Sequence, residues 1–231
     1  MLPNRQEPEF LEEELTPTRR AIAERVSQSH REIPVFHMHV LADASALVAA
    51  REKLKEQHGS DAPTYNDILL KIVADVLPRH PRFNAWFEND TLRLAQQVNL
   101  GFAVATDQGV LMPTIFNADK KSLQSIAAEA RELVAAARHG KLRASLQMGA
   151  TFSLSNVGAL GIDAFSALIS LPQTAILAIG SLTERVVVGA GEAVVRPTVW
   201  LTLTVDHRAA DGMDAAQFLR DLKTAVQSFS T

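Results

Sequence analysis

Hydrophobic and polar residues follow two different periods along this chain, and segments of the two kinds alternate. A period of two residues is typical of strands, whereas a period of three to four residues is typical of amphipathic helices. Strands are predicted near residues 35–41, 98–105, 110–116, 150–155, 174–180, 185–189 and 194–205. Helices are predicted over residues 17–30, 44–57 and 65–77, after Ser122, and near the end of the chain. This order indicates an α/β fold in which helices cover a mixed β-sheet.

Local signals support several of these boundaries. Pro17 stands in the first turn of its helix, where its missing N–H group is not needed. Thr64 and Asp67 have the spacing of a helix-capping pair. Residues 106–109 read TDQG, a composition typical of a hairpin connection between two strands.

Length and composition predict one domain. The chain has 231 residues, of which 47% are hydrophobic, and this is enough to bury a large core. Because no Gly/Pro/Ser-rich stretch or repeat divides the interior, residues 15–231 are predicted to form one domain and residues 1–14 an N-terminal arm or linker remnant. The net charge of −3 with dispersed basic residues makes nucleic acid an unexpected partner.

The chain has no cysteine, which excludes disulfides, thiolate metal sites and a cysteine nucleophile, and which fits the cytoplasm. The N-terminal residues are acidic and contain no apolar segment, so neither a signal peptide nor a membrane anchor is predicted. The apolar stretch over residues 164–182 is interrupted by Pro172 and Gln173, among others. We therefore interpret it as a buried strand with a loop and not as a membrane span.

The segment 206–212 reads DHRAADG and lies between the last predicted strand and the last predicted helix. His207 therefore lies in a strand-to-helix turn, where a side chain can be held rigidly beside a cleft. Without further information, a structural role is the more common one for a histidine such as His207. Asp211 has the position of a helix N-cap. Arg208 is interpreted as serving the local structure.

This turn resembles the active-site motif of the chloramphenicol acetyltransferase superfamily, His-x-x-x-Asp-Gly. Within it, the chain is most similar to the catalytic domain of dihydrolipoamide acyltransferases, the core components of 2-oxo acid dehydrogenase complexes, whose usual form is DHRxxDG. The resemblance continues in ordered blocks over residues 15–26, 98–115, 117–130, 150–161 and 171–180. It implies a chloramphenicol acetyltransferase-like fold, a two-layer α+β sandwich, with residues 15–231 as the acyltransferase catalytic domain.

The resemblance also implies a chemistry, acyl transfer between two thiol substrates, coenzyme A and dihydrolipoamide, without a metal. Because the thiolate is the nucleophile, a base must take the thiol proton, and His207 is the candidate. Ser155, in the segment LSNVG that matches the family's Ile-Ser-x-x-Gly, is the candidate donor to the tetrahedral oxyanion. Asp211 is assigned a supporting role, with Arg19 of the TPxR segment as its expected partner. Without the resemblance, Ser155 is a turn-capping serine.

Assembly is a further implication of the resemblance. Family members are homotrimers whose active sites lie between subunits, with the histidine from one chain and the serine from its neighbour. The expected partners are a lipoyl domain and the 2-oxo acid dehydrogenase and dihydrolipoamide dehydrogenase components. No lipoyl or subunit-binding domain lies within these residues. The C-terminal residues 228–231 are short and polar apart from Phe229, so trimers are not expected to build a large hollow core.

Three functions of different classes remain open. The favoured one is a lipoamide acyltransferase for acetyl groups, because VDHRAADGMDAAQFL is more similar to acetyl and branched-chain versions than to succinyl ones. The second is a free-standing acetyltransferase for a small hydroxyl acceptor such as chloramphenicol, although its motif normally begins His-His, whereas Asp206 precedes His207 here. The third is a non-catalytic scaffold subunit, which would usually have lost the histidine.

Two other groups of residues are interpreted as structural. His37 and His39 lie two apart on a predicted strand and face the same side, but no third ligand is identifiable, so no metal site is predicted. Gly158, Gly161 and Gly180 lack the spacing of a phosphate-binding loop and are interpreted as turns beside strands.

Overall fold

The computed structural model describes residues 9–230. The helices are α1 (Pro17–Glu32), α2 (Ser45–His58), α3 (Tyr65–Val76), α4 (Leu123–Arg138) and α5 (Gly212–Gln227). The strands are β1 (Val35–Asp43), β2 (Ala85–Glu88), β3 (Thr91–Leu94), β4 (Leu100–Phe102), β5 (Val104–Thr106), β6 (Gly109–Leu111), β7 (Thr114–Ile115), β8 (Phe152–Asn156), β9 (Ala175–Ile179), β10 (Thr183–Gly189) and β11 (Glu192–Asp206). Residues 1–8 of the predicted arm lie outside the described residues, as does Thr231 of the predicted tail.

The main sheet has seven strands in the order β1-β11-β9-β8-β4-β7, with β10 paired to the first half of β11. Strand β8 runs parallel to β4 and β9, and the other pairs are antiparallel. The predicted mixed sheet is thus confirmed. Its longest member, β11, pairs with both β1 and β9, so it places the residue that follows it, His207, relative to both of these strands.

A single large core lies between one face of this sheet and helices α2 to α5. Three fully buried phenylalanines mark its centre: Phe218 of α5 stacks on Phe83 with ring centroids 4.9 Å apart and meets the edge of Phe152 at 5.7 Å. Burying an aromatic side chain of this size contributes on the order of 2 kcal/mol. Since Phe218 is a core residue of α5, this packing fixes the helix that begins directly after the DHRAADG turn.

The capping signals in the sequence are confirmed. Thr64 and Asp67 form a complete capping box at the start of α3, in which each side chain accepts a hydrogen bond from the other residue's backbone N–H group. Pro17 is in the first turn of α1, and Thr16 caps that helix. Strands β5 and β6 form the predicted hairpin, with Thr106 paired to Gly109.

Two parts of the predicted sheet differ from the structure. The strands predicted over residues 98–105 and 110–116 are each divided, at residues 103 and 112–113, so that β4 and β7 join the main sheet while β5 and β6 form a separate ribbon. The β2–β3 hairpin was not predicted at all. Its turn, Asn89-Asp90, has left-handed backbone angles at both residues, φ 49° and 54°. Such a turn is favoured by asparagine and aspartate, so the sequence did carry a signal for it.

The irregular segment 161–172 covers part of the other face of the sheet and contacts the C-terminal part of α1. Ile33, Ile169 and Ile176 form a small second apolar cluster there. The hydroxyl of Ser29 on α1 donates to the Ile169 carbonyl at 2.6 Å. Ser29 is the only buried residue of α1 among those described, and the first half of the helix lies beside the β5–β6 hairpin. None of the helices within residues 9–230 is long and apolar enough to cross a membrane.

Candidate active site

His207 occupies the first position after β11, in the turn that the sequence predicted. Its backbone N–H donates to the Pro34 carbonyl at 2.9 Å, which ties the turn to the start of β1. Its ring packs against Phe36, with centroids 4.7 Å apart and planes tilted by 52°. The residue is nevertheless exposed. An imidazole that is held by its backbone and by one ring contact, yet is open to solvent, is placed as an accessible base must be.

An ion pair between the buried Asp206 and the exposed Arg208 builds the turn beneath His207. Asp206 is fully buried and accepts hydrogen bonds from the Arg208 backbone N–H at 2.9 Å, from Nε at 2.9 Å and from Nη2 at 2.7 Å. Hydrogen bonding to this carboxylate raises the pKa of Arg208. The guanidinium also lies over the Phe87 ring, 4.4 Å from its centroid. Arg208 thus has the structural role that the sequence suggested, and Asp206 is its partner.

Asp211 caps α5, as its position before the helix predicted. Its Oδ1 accepts from the backbone N–H groups of Met213 at 2.9 Å and Asp214 at 3.1 Å. The Asp214 side chain accepts in return from the Asp211 N–H, which completes a capping box. The second carboxylate oxygen of Asp211 has no hydrogen bond within the described residues and the side chain is exposed, so it is available to another group.

Sequence reasoning missed residues that support this turn from elsewhere in the chain. Arg82 donates from Nη1 to the Ala209 carbonyl at 2.8 Å. Phe36 is the ring against which His207 packs. Nothing in the sequence marks Arg82, because the loop that carries it is distant along the chain. Phe36, on the predicted strand that follows Pro34, could have been found only by pairing that strand with the last one.

Ser155 is the fourth residue of β8 and is partly exposed. Its neighbours Leu154 and Asn156 face the helices, since Leu154 lies in the core and the Asn156 amide donates to Asn66 of α3 at 3.3 Å. Side chains alternate along a strand, so Ser155 points to the opposite face, away from the helices. This is the face that segment 161–172 covers only in part.

Close backbone contacts define the segment that follows Ser155. A Cβ atom added to Gly158 would lie 2.5 Å from the Gly180 carbonyl oxygen, and one added to Gly180 would lie 1.8 Å from the Asp163 carbonyl oxygen. The Ser181 N–H donates to the Ile162 carbonyl at 2.7 Å across the same contact. Gly158 and Gly180 thus lie beside the ends of strands β8 and β9, as interpreted from the sequence, and they are also sites of close packing between segments.

Arg19 lies in the first turn of α1, beside the β5–β6 hairpin. A Cβ atom at Gly109 would be 3.8 Å from Arg19 Nη1. The hairpin follows β4, whose last residue Phe102 pairs with Leu154, the neighbour of Ser155. Arg19 and Ser155 therefore lie at the same end of the sheet. Within the described part of one chain, Arg19 forms no ion pair with Asp211.

The strand register separates Ser155 from His207. Ser155 pairs with Ala178 of β9, whereas Val205, two residues before His207, pairs with Ala175 of the same strand. The two side chains are thus about 17 Å apart along the strands and about 10 Å apart across them. The four predicted site residues form two groups, which we call the histidine end (His207 and Asp211) and the serine end (Ser155 and Arg19).

Comparisons with known proteins agree with this architecture. The family model for the catalytic domain of 2-oxoacid dehydrogenases acyltransferase matches residues 7–231. A dihydrolipoyllysine-residue acetyltransferase component of the pyruvate dehydrogenase complex from Zymomonas mobilis is 35% identical over 92% of this chain and 49% of its own length. A lipoamide acyltransferase component of the branched-chain alpha-keto acid dehydrogenase complex from Bacillus subtilis is 33% identical over 93% of this chain and 51% of its own length. The chain spans about half the length of these relatives.

Solved structures show the same fold. A probable dihydrolipoamide acetyltransferase from Listeria monocytogenes has a TM-score of 0.91 at 34% identity, covering 96% of each chain. Dihydrolipoamide acetyltransferase from Azotobacter vinelandii, investigated for the roles of a serine, a histidine and an asparagine in its mechanism, has a TM-score of 0.92 at 32% identity, over 95% of this chain and 92% of that one. The cubic core of a pyruvate dehydrogenase complex gives the same values. A chloramphenicol acetyltransferase has a TM-score of 0.56 at 14% identity, over 88% of this chain and 94% of that one. This similarity confirms the predicted fold class.

Proposed function

The chain belongs to the acyltransferase family of 2-oxoacid dehydrogenases as its catalytic domain, and from this premise we propose that it transfers an acyl group between dihydrolipoamide and coenzyme A. The observation that carries the proposal is the placement of His207, which is exposed on a turn fixed by Asp206, Pro34 and Phe36. A thiol substrate can reach this imidazole without any rearrangement of the turn.

The reaction needs one base and one oxyanion donor. The thiol S–H bond breaks as His207 takes the proton, and the sulfur forms a bond with the thioester carbonyl carbon. The carbonyl oxygen then carries negative charge, which the Ser155 hydroxyl stabilises by donating a hydrogen bond. The original C–S bond breaks next, and the departing sulfur takes the proton from His207. No net proton is released, and His207 returns to its neutral form.

The spacing of residues in a relative supports these assignments. The serine, histidine and asparagine investigated in the Azotobacter vinelandii enzyme are separated by the same numbers of residues as Ser155, His207 and Asp211. Asparagine and aspartate are both good helix N-caps, so the capping role is available at this position in either protein. The negative charge on Asp211 is the feature that differs.

We place the active site between two copies of the chain in a homotrimer. A carbonyl oxygen cannot contact Ser155 while its carbon is attacked by a thiol bound to His207 of the same chain, because the two ends are too far apart. In a cyclic trimer the serine end of one copy faces the histidine end of the next, and every site is complete. The same contact brings Arg19 of one copy to the free oxygen of Asp211 of its neighbour.

The proposed acyl group is acetyl, and the proposed partners are a lipoyl domain and the 2-oxo acid dehydrogenase and dihydrolipoamide dehydrogenase components. The names of the relatives support acetyl, with the Zymomonas mobilis protein as an example, whereas the Bacillus subtilis protein supports a branched-chain acyl group at nearly the same identity. Rates with acetyl-, isobutyryl-, isovaleryl- and succinyl-coenzyme A and free dihydrolipoamide decide between them. Acetyl is expected to give the highest kcat/KM.

Complementation between two inactive variants tests the shared site. His207→Ala and Ser155→Ala chains, carrying different affinity tags, are co-expressed and purified through both tags. Any mixed trimer then has one intact site among its three, so random assembly recovers about a quarter of wild-type activity before tag selection. Each variant expressed alone remains nearly inactive.

The two parts of the proposal fail in different ways. An inactive wild-type protein, tested as a folded trimer with every acyl-coenzyme A above, would overturn the acyltransferase function. An active wild type with mixed trimers as inactive as the single variants would overturn only the site between chains.

A further inference from the structure

His37 and His39 have no role in the proposed acyl transfer. The structure shows that each of their rings is hydrogen-bonded to a threonine hydroxyl, which the sequence alone did not reveal. Both residues lie on β1, the edge strand of the main sheet, and both are exposed on the same face. We propose that they form a two-histidine binding site for a divalent first-row transition metal, with Cu²⁺ bound more tightly than Ni²⁺ or Zn²⁺.

The strand geometry brings the two imidazoles to one ion. Residues two apart on a strand point to the same side and are about 7 Å apart at Cα. Imidazole rings span this gap by tilting toward each other, so that two nitrogen atoms each lie about 2.1 Å from a metal. The opposite face of β1 is used differently, since Phe36 and Met38 pack against the core there.

Two buried threonines on β11 orient the rings. Thr204 lies directly opposite His37, and Thr202 directly opposite His39. The Nδ1 atom of His37 is 3.0 Å from Thr204 Oγ1, and that of His39 is 2.9 Å from Thr202 Oγ1. With the proton on Nδ1, each hydroxyl accepts a hydrogen bond and each Nε2 keeps its lone pair. Neither Nε2 has a hydrogen-bond partner within residues 9–230.

This arrangement matches what metal-binding histidines require. A ligating imidazole almost always donates its second nitrogen to a neighbouring acceptor, which fixes the tautomer and the ring orientation. Here that acceptor is supplied twice, by the same residue type, at equivalent positions of the register. Two surface histidines that happened to be neighbours would not be expected each to have its own buried threonine hydroxyl as a hydrogen-bond partner.

The ligand set determines the class of metal. Imidazole nitrogen suits Cu²⁺, Ni²⁺ and Zn²⁺, whereas Ca²⁺ and Mg²⁺ prefer oxygen. No group of three or more histidine, aspartate or glutamate residues that could hold a metal occurs in the described part of the chain. Water therefore completes the coordination. A site with two protein ligands binds an exchangeable ion, and its affinities follow the general order in which Cu²⁺ exceeds Ni²⁺ and Zn²⁺.

Calorimetric titration of the assembled protein with CuCl₂, NiCl₂ or ZnCl₂ at pH 8, where the neutral imidazole is the metal-binding form, tests the site. We expect one Cu²⁺ per chain and coupling to two nitrogens in the electron paramagnetic resonance spectrum. Replacing either histidine (His37→Gln or His39→Gln) is expected to weaken Cu²⁺ binding on the order of 10-fold or more, and Thr202→Val with Thr204→Val on the order of 10-fold.

Two controls separate this site from other histidines. His30 and His58 are exposed elsewhere, so replacing both by glutamine should leave the Cu²⁺ affinity unchanged. The stoichiometry should also be the same in the His207→Ala background. An equal loss of affinity in the His30/His58 variant, or unchanged affinity in both the histidine and the threonine variants of the site, would overturn the proposal.

Discussion

The histidine end and the serine end are built from contacts of different range along the chain. At the histidine end, Asp206 and Asp211 bind groups that lie two or three residues away. Contacts with Pro34, Phe36 and Arg82, which are distant along the chain, add to these local ones. At the serine end, the segment after Ser155 is held by contacts between distant parts of the chain, such as Gly158 against Gly180. A short motif can specify most of the first end, whereas the second exists only after the parallel strands β8 and β9 have paired.

This difference matters for the chemistry assigned to each end. The proposed base must present one nitrogen in a fixed direction, and the local hydrogen bonds of its turn contribute to this. The proposed oxyanion donor, Ser155, must reach the substrate from a neighbouring copy, so its position depends on how accurately whole segments are packed. We therefore expect local substitutions to affect the histidine end and packing substitutions to affect the serine end.

The largest expected effects come from the two groups proposed to act in the reaction, His207 as the base and Ser155 as the oxyanion donor. His207→Ala removes the base and should lower kcat/KM about 10³-fold. Ser155→Ala removes one oxyanion donor and should lower it about 10²-fold, chiefly through kcat. Steady-state transfer between acetyl-coenzyme A and dihydrolipoamide measures both, with His58→Ala as an exposed control. A fall of less than tenfold for His207→Ala would remove it from the role of base.

The next largest effect is on the free energy of unfolding, when a glycine at each end is replaced by alanine. Gly180→Ala places a methyl group 1.8 Å from the Asp163 carbonyl oxygen. The segment must move, and we expect the free energy of unfolding to fall by about 3 kcal/mol. Gly212→Ala is the matched change at the histidine end, where a Cβ atom meets nothing within 4 Å. It should change stability by less than about 0.5 kcal/mol. Urea denaturation compares the two, and equal losses would contradict the proposed difference in packing.

These contacts explain what the sequence could and could not predict. The capping box of Thr64 and Asp67 and the cap of Asp211 involve neighbours three residues apart, and both were recognised from spacing. The close contact of Gly180 with Asp163 could not be predicted from the sequence. A glycine in a turn and a glycine packed against another backbone segment look alike in a sequence. The separation of the two ends likewise follows from strand register, which composition does not encode.

A smaller effect is expected from the ion pairs at the two ends. Asp206 has a side chain only 1% exposed, and its partner Arg208 is 34% exposed, so Asp206→Asn should lower the free energy of unfolding by about 2 kcal/mol. The side chain of Asp163, which binds Arg185 near the serine end, is 64% exposed. Asp163→Asn should therefore cost less than about 1 kcal/mol. Thermal unfolding at several salt concentrations measures both, and a larger loss for Asp163→Asn would reverse the ranking.

The smallest effect distinguishes the two roles proposed for Asp211. Asp211→Ala removes the cap of α5 and should cost about 1 kcal/mol of stability, whereas Asp211→Asn keeps the acceptor and should cost almost nothing. Asparagine cannot form an ion pair with Arg19 of a neighbouring copy, so kcat/KM should still fall severalfold in Asp211→Asn, and equally in Arg19→Ala.

A double-mutant cycle then decides whether Asp211 and Arg19 act on each other. If they pair across the interface, Arg19→Ala in the Asp211→Asn background lowers kcat/KM no further. If the two losses multiply instead, Asp211 and Arg19 act independently of each other, and if Asp211→Asn loses no activity, Asp211 acts only as the cap of its own helix. The histidine end would then be complete within a single chain, and only Ser155 would have to come from the neighbouring copy.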